Sequence, residues 1–427
     1  MISYAIIFLV STLILKSILS FIRPSKKLPP TPLALPIIGH LHLLGPHMHH
    51  SFHKLSSKYG PLIHLRLGSI QCVVASTPEL AKELLKTHEL TFSSRKHSAA
   101  IDYLTYQSSF AFAPYGPYWK FIKKLSTVEL LGSRTLGQFL PIRTRELHCL
   151  VKFLQEKSRG GECVNVTEEL LKLTNNVISQ MMFSIRCSET EGQAEEARTL
   201  VRQVTEIFGE FNLSDIIWIF KNVDLQGFRK RFKDIHRRYD SLLEKIITDR
   251  EDVRKEKKMK KKNGDDDDHE EEVIDFLDML LDVLENENSE IQLSRDHIKA
   301  LILDFLTAAT DTTAMAIEWT LAELINHPKI LTKAQNEIDR VIGKTRLVEE
   351  SDIPNLPGRR GCPGISLAMR ELPTTLAAMI HCFNWKVDGD HHGVVDMNER
   401  PGLTAPRAND LLCVPVARFT PSSLDDI

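Results

Sequence analysis

The chain has 427 residues, 42% of them hydrophobic and 26% charged, enough to bury one large core or two ordinary ones. A formal net charge of -2 removes the electrostatic case for a nucleic-acid binder. The 7 cysteines, an odd number scattered without paired spacing, argue against a disulfide framework or a zinc site.

Residues 2–22, ISYAIIFLVSTLILKSILSFI, carry the single charge of Lys16 and as a helix would be about 30 Å long, the thickness of a bilayer core. The expectation is a membrane anchor over 1–22. No basic start and no small-residue cleavage site mark a cleaved signal peptide. Arg23, Lys26 and Lys27 follow, which by the positive-inside rule leaves the bulk of the chain in the cytoplasm. Residues 23–40 form a proline-rich hinge, because the four prolines of LPPTPLALPIIGH disfavour helix and strand. The working body is then 41–427.

PLIHLRLGSIQCVVAS, residues 61–76, predicts two short strands around Gly68-Ser69. STPELAKELLKTHEL follows as a helix with a serine or threonine cap and Pro78 in its first turn. From about 139 to 250 the spacing of apolar residues is mostly helical. RKEKKMKKKNGDDDDHEEE, residues 254–272, sets a basic block against an acidic one and reads as a solvated loop between helices. Residues 296–328, DHIKALILDFLTAATDTTAMAIEWTLAELINHP, are apolar nearly all round, so this helix belongs in the centre of the fold. At its middle, Asp304, Thr307 and Asp311 share one stripe, and Phe305, Ala308 and Thr312 the neighbouring one. Back-bonding to the preceding turn accounts for threonines such as Thr310, Thr312 and Thr313. A buried carboxylate needs more explanation, because an unpartnered buried charge is costly. Small residues beside an acid and a hydroxyl suggest room for a ligand and a route for protons.

GRRGCPGIS, residues 358–366, places Cys362 beside Arg359 and Arg360 and at the opening of another apolar helix. Arginines and a helix N-terminus both favour a thiolate. Gly358, Gly361 and Gly364 would let something large and flat approach the backbone. On these residues alone, a thiolate ligand, a redox cysteine and a structural cysteine all stand.

Cys362 in GRRGCPG, after a central AATDTT helix and behind an anchor with a proline-rich hinge, resembles the microsomal cytochrome P-450 haem-thiolate monooxygenases. The resemblance covers nearly the whole chain. It implies a mainly α fold, a helical bundle with small β-sheets, holding haem b. In APYGPYWKFIKKL, residues 113–125, it identifies Trp119 and Lys123 as holding a haem propionate, together with Arg360. Cys362 becomes the axial metal ligand, Asp311 and Thr312 a proton relay, and Phe305 and Ala308 the substrate border. LPIIGHLHLLG, VVASTPELAKELLKTHELTFSSR, TEELLKLTNNVISQMM and GLTAPRANDLLCVPVAR resemble plant flavonoid enzymes of flavone synthase II type. That implies flavanone oxidised to flavone with O2, electrons from an NADPH-dependent reductase, and an endoplasmic-reticulum location. Relatives making 2-hydroxyflavanones or 2-hydroxyisoflavanones, or hydroxylating triterpenes, fit the same stretches.

The chain departs from the family at DIPNLPGRRGC, where Asn355 stands in place of a phenylalanine seven residues before the cysteine. Only 50 residues separate Thr312 from Cys362. The Glu-x-x-Arg helix, several strands and the meander expected in that interval would need roughly 60 to 90 more. The expectation is a P450 domain that lacks the segment normally found between 357 and 358. Two hypotheses follow: a haem-thiolate monooxygenase, and a membrane-tethered, catalytically inactive remnant of one.

Overall fold

The structure, a computed structural model, describes residues 28–187, 193–263, 274–343, 362–388 and 393–421, with positions 4, 8, 11 and 12. Two compact units divide the chain: residues 1–100 with 210–231, and residues 101–209 with 232–427.

In the smaller unit, α1 (Met48–Tyr59) leads into an antiparallel hairpin of β1 (Leu62–Leu67) and β2 (Ile70–Ala75). Ile63, Leu65 and Leu67 alternate inward and pack with Leu55, Ile216 and Ile217. Gly68 turns the hairpin at φ +60, and a Cβ there would sit 2.5 Å from the Ile216 carbonyl oxygen, so no side chain is tolerated. The expected cap follows: Thr77 accepts from the Leu80 N–H, with Pro78 in the first turn. Among the described residues β1 and β2 pair only with each other, apart from a bridge between Gly39 and Leu67. The far half of the expected hinge is packed rather than free. His64 donates its N–H to Pro30 at 2.9 Å, and Arg66 donates its N–H to His40 Nδ1 at 2.7 Å.

The larger unit is mainly helical, as its spacing predicts. α2 (Pro117–Lys124), α3 (Leu140–Gly160), α4 (Val166–Phe183), α5 (Gln193–Gly209), α6 (Phe228–Asn263, from 232 onward), α7 (Phe276–Glu285), α8 (Arg295–Asn326), α9 (Pro328–Ile342) and α10 (Ile365–Cys382) form it. The short strand β3 (Val164–Asn165), with β4 (Phe383–Val387) and β5 (Leu412–Ala417), makes an antiparallel sheet in the order β3-β5-β4. α4 and α10 both pack on α8. Their shared core includes Leu170, Leu173, Ala314, Ile317, Leu321, Ala378 and Met379. A Ser294 cap with His297 closing the reciprocal bond starts α8, and Pro328 opens α9 directly after it.

One expected loop is helix. Residues 254–263 continue α6, because Lys, Arg and Glu are good helix formers and α7 offers them a matching acidic face. Arg254 pairs with Asp278 and Asp282, and Lys258 with Glu285 at 2.9 Å. The acidic half of that charge run, most of the expected anchor, Arg360, Asn355 and the junction at 357/358 lie outside the described residues.

Candidate haem site

The middle of α8 breaks the rule of its own helix. Leu301 to Leu306 are buried in succession, yet Ala308 and Thr312 are exposed and Thr307, Ala309 and Asp311 half-buried. An apolar helix that opens one turn to the outside at its centre leaves space there for a ligand. Of the two residues expected at the substrate border, Phe305 is buried, its ring 5.9 Å from that of Phe276, and Ala308 is exposed.

Thr312 donates to the Ala308 carbonyl at 2.7 Å, the back-bond a helix threonine forms when no other partner is nearer. Thr310 makes no such bond: its buried hydroxyl has no hydrogen-bond partner among the described residues, while its carbonyl accepts from Thr174 at 2.9 Å. Asp311 is bonded by Thr205 of α5. Burial pushes its carboxyl up, and Arg202, Thr205 and Arg400 work against that rise. Asp311 and Thr312 are thus neighbours in sequence with separate partners.

On α2, Trp119 is buried and Lys123 half-buried one turn later, as their spacing predicts. The Trp119 ring stacks on Phe110 at 6.2 Å and meets Tyr115 at 5.5 Å. Cys362 is exposed just before α10, where its carbonyl accepts from the Ile365 N–H at 3.3 Å. A Cβ on Gly364 would lie 3.8 Å from its sulfur, an ordinary contact distance. The other buried thiols are unsuited to ligation: burial pushes Cys382 and Cys413 up to about 12.

Asp304 is a residue the sequence flagged as costly but gave no role. It is buried on α8, accepts from the Ser109 hydroxyl at 2.8 Å and from the Phe110 N–H at 2.7 Å, and is bonded by the Ala111 N–H as well. Burial outweighs these donors and raises its carboxyl to about 7. The signal was legible as a lone acid in an apolar run; its partners, 194 residues away in sequence, were not.

The family profile described as Cytochrome P450 matches residues 29–357. This chain belongs to the cytochrome P450 family. It is 50% identical to Cytochrome P450 93B16 of Glycine max over 504 aligned positions, covering 95% of each chain. It is 41% identical to 3,9-dihydroxypterocarpan 6A-monooxygenase of Glycine max, covering 97% of this chain and 98% of that one. To 2-hydroxyisoflavanone synthase of Glycyrrhiza echinata it is 37% identical, covering 91% and 92%. P450 enzymes are monooxygenases that use haem and reductase-supplied electrons, and the mainly helical fold with small sheets agrees. The donor types among the described residues suit that cofactor: an exposed thiol, a tryptophan and a lysine one turn apart, and a central helix with Ala308 and Thr312 exposed.

Proposed function

We propose that the chain carries the frame of a haem-thiolate monooxygenase that converts a flavanone to a flavone. The opening at Ala308 and Thr312, directly after the buried run Leu301 to Leu306 of α8, is the observation that carries this reading. The haem, when bound, supplies the activation of O2 and the oxidation itself. Flavanone, O2, NADPH and a proton give flavone, two waters and NADP+, so the substrate loses two hydrogens and gains no oxygen. Cys362 would supply the sulfur ligand, and Trp119, Lys123 and Arg360 would hold the propionates by charge-assisted hydrogen bonds. Asp311 and Thr312 pass protons inward from the α5 side, and Ala308 borders the substrate. An NADPH-cytochrome P450 reductase is the electron donor, and residues 1–22 tether the body to the endoplasmic reticulum membrane, facing the cytosol.

Among the described residues, α8 alone is long and apolar enough to cross a bilayer, and 61% of its most apolar stretch is buried in the protein, as befits a core helix. The relatives' printed names favour flavonoid or isoflavonoid substrates without separating them. Incubation with flavanone and reductase does separate them. A product two mass units lighter supports the flavone reaction, and one sixteen units heavier identifies a hydroxylase instead.

A second reading is an inactive tethered remnant, favoured by the alignment itself. Since 95% of 427 residues is about 406, about 98 of the 504 positions aligned with Cytochrome P450 93B16 have no counterpart here. The family match also ends at residue 357, five residues before Cys362.

A further inference from the structure

The loop between residues 105 and 113 is held from two helices by two carboxylates. Tyr106 and Gln107 both adopt left-handed backbone, at φ 53 and 57, a conformation costly for residues with side chains. Tyr106 donates to Asp240 of α6 at 2.7 Å, and Ser108 donates to the Tyr106 carbonyl at 3.0 Å. One turn on, Asp304 of α8 collects Ser109, Phe110 and Ala111. The loop is then joined to α2 twice. Tyr118 donates to the Ser108 carbonyl at 2.6 Å, and the Phe110 ring stacks on Trp119 with 26° between planes. We propose that Asp304 is a positioning residue for the cofactor: by fixing the Phe110 backbone, it sets where the Trp119 indole stands.

This rests on the reading of Trp119 as a haem-holding residue, but the geometry does not. A backbone N–H bonded to a buried carboxyl oxygen has little freedom, and Phe110 passes that restriction to the ring it stacks on. Asparagine at 304 has the same shape and one acceptor oxygen fewer, so at least one of the three donors is left unmatched in a buried place. The ionisable groups that feel Asp304 are Tyr118 of α2 and Tyr239 of α6, whose phenols burial pushes up, beyond the range of the experiment. His297, stacked on Tyr118 at 5.1 Å, is lowered by burial, with Asp296 opposing.

The full chain labelled with 5-fluorotryptophan offers four fluorine signals, one per tryptophan, and Trp119→Phe assigns the one that matters. In Asp304→Asn the Trp119 signal moves and the other three hold, while Asp282→Asn, on the far face of α7, moves none. Amide exchange at Phe110 and Ala111 quickens about tenfold or more in the same variant. If Asp304→Asn fails to fold, the parent serves: its Trp119 signal alone shifts as pH crosses about 7, where Asp304 changes charge. A Trp119 signal that ignores both the variant and the pH, or four signals that move together, overturns the proposal. Haemin added to a chain carrying a family segment between Pro357 and Gly358 tests the underlying reading separately. If it leaves Trp119 emission unquenched, the haem assignment fails while the Asp304 positioning stands.

Discussion

Cys382 and Cys413 are sealed in the core with thiols raised to about 12, and burial together with Asp388 raises exposed Cys163 to about 11. Cys382 and Cys413 are buried away from any approaching group, whereas Cys362 is exposed, which favours Cys362 as the sulfur ligand. In any preparation that takes up haem, Cys362→Ala should abolish the thiolate signature of the reduced carbon monoxide complex, and Cys382→Ala should keep it. An unchanged spectrum in the first variant would refute the assignment. The sequence holds two glycosylation sequons, NVT at Asn165 and NLS at Asn212, and in both the asparagine side chain is already engaged. Asn165 caps α4 by accepting from Glu168 and donates to Asp410, while Asn212 is buried and bonded to Ser214 and Asp215. A glycan at either would cost a cap worth about 1 kcal/mol. With the body in the cytosol, neither should be modified, and a glycosidase-sensitive mass shift would reverse the proposed topology.

At the scale of elements, α3 and α4 are joined through Glu146, whose side chain is buried at 2% exposure. Burial would raise its carboxyl, but hydrogen bonds from Arg186, Gln180 and Asn176 prevail and hold it below the usual glutamate value. A depressed carboxyl stabilises the fold above its unfolded pKa, and that stability is lost as pH falls through the folded one. Arg186→Ala should therefore lower stability at neutral pH by up to about 3–5 kcal/mol, and by less at a pH low enough for Glu146 to take up a proton. An equal loss at both pH values would show that Arg186 acts by packing alone. Such long-range pairs are what the sequence could not display. Periodicity located β1, β2, α8 and the helices between 139 and 250, because each depends on the order of its own residues. It misread the charge run at 254–263, where the face of α7 decided the outcome. It read α8 as apolar nearly all round with room for a ligand at its middle, but which positions stand open there, Ala308 and Thr312, depends on what the rest of the fold leaves uncovered. The site was legible as residues, Trp119, Lys123, Asp311, Thr312 and Cys362, but not as partners: nothing in TAATDTT says that Asp311 turns to Thr205 while Thr312 bonds its own helix. In a chain with the missing segment restored, Thr312→Ala should raise NADPH use per product formed, and Asp311→Asn should slow turnover. Parent-like coupling in both would leave them only helix packing.

At the scale of the whole molecule, the question is whether this chain can keep haem. His381, near the end of α10, bonds the Gly343 carbonyl at 2.8 Å, and Arg418 joins the same corner to Asp339 at 2.7 Å. Cys362 lies at the other end of α10, about 25 Å away by the length of that helix. Nineteen steps from Gly343 to Cys362 reach up to about 65 Å, so chain reach is no obstacle. We propose that the loss is of support: so short an interval is too small for the helix and several strands that the family resemblance implies there, which leaves the proposed sulfur ligand without a shell to fix its geometry. The hairpin of β1 and β2 meanwhile ends in an edge, with Val73 50% exposed on it. Each defect is of a kind that costs a few kcal/mol, against a total stability of about 5 to 15. Haem binding adds stability by linkage only where a formed site receives it. The expected outcome is that the chain as it stands holds haem weakly and turns over flavanone slowly or not at all, whereas one carrying a family segment between Pro357 and Gly358 does both. Side-by-side expression decides it. A thiolate carbon monoxide spectrum and comparable flavanone conversion from the unaltered chain would overturn the deletion argument and leave residues 344–361 sufficient to hold the sulfur in place.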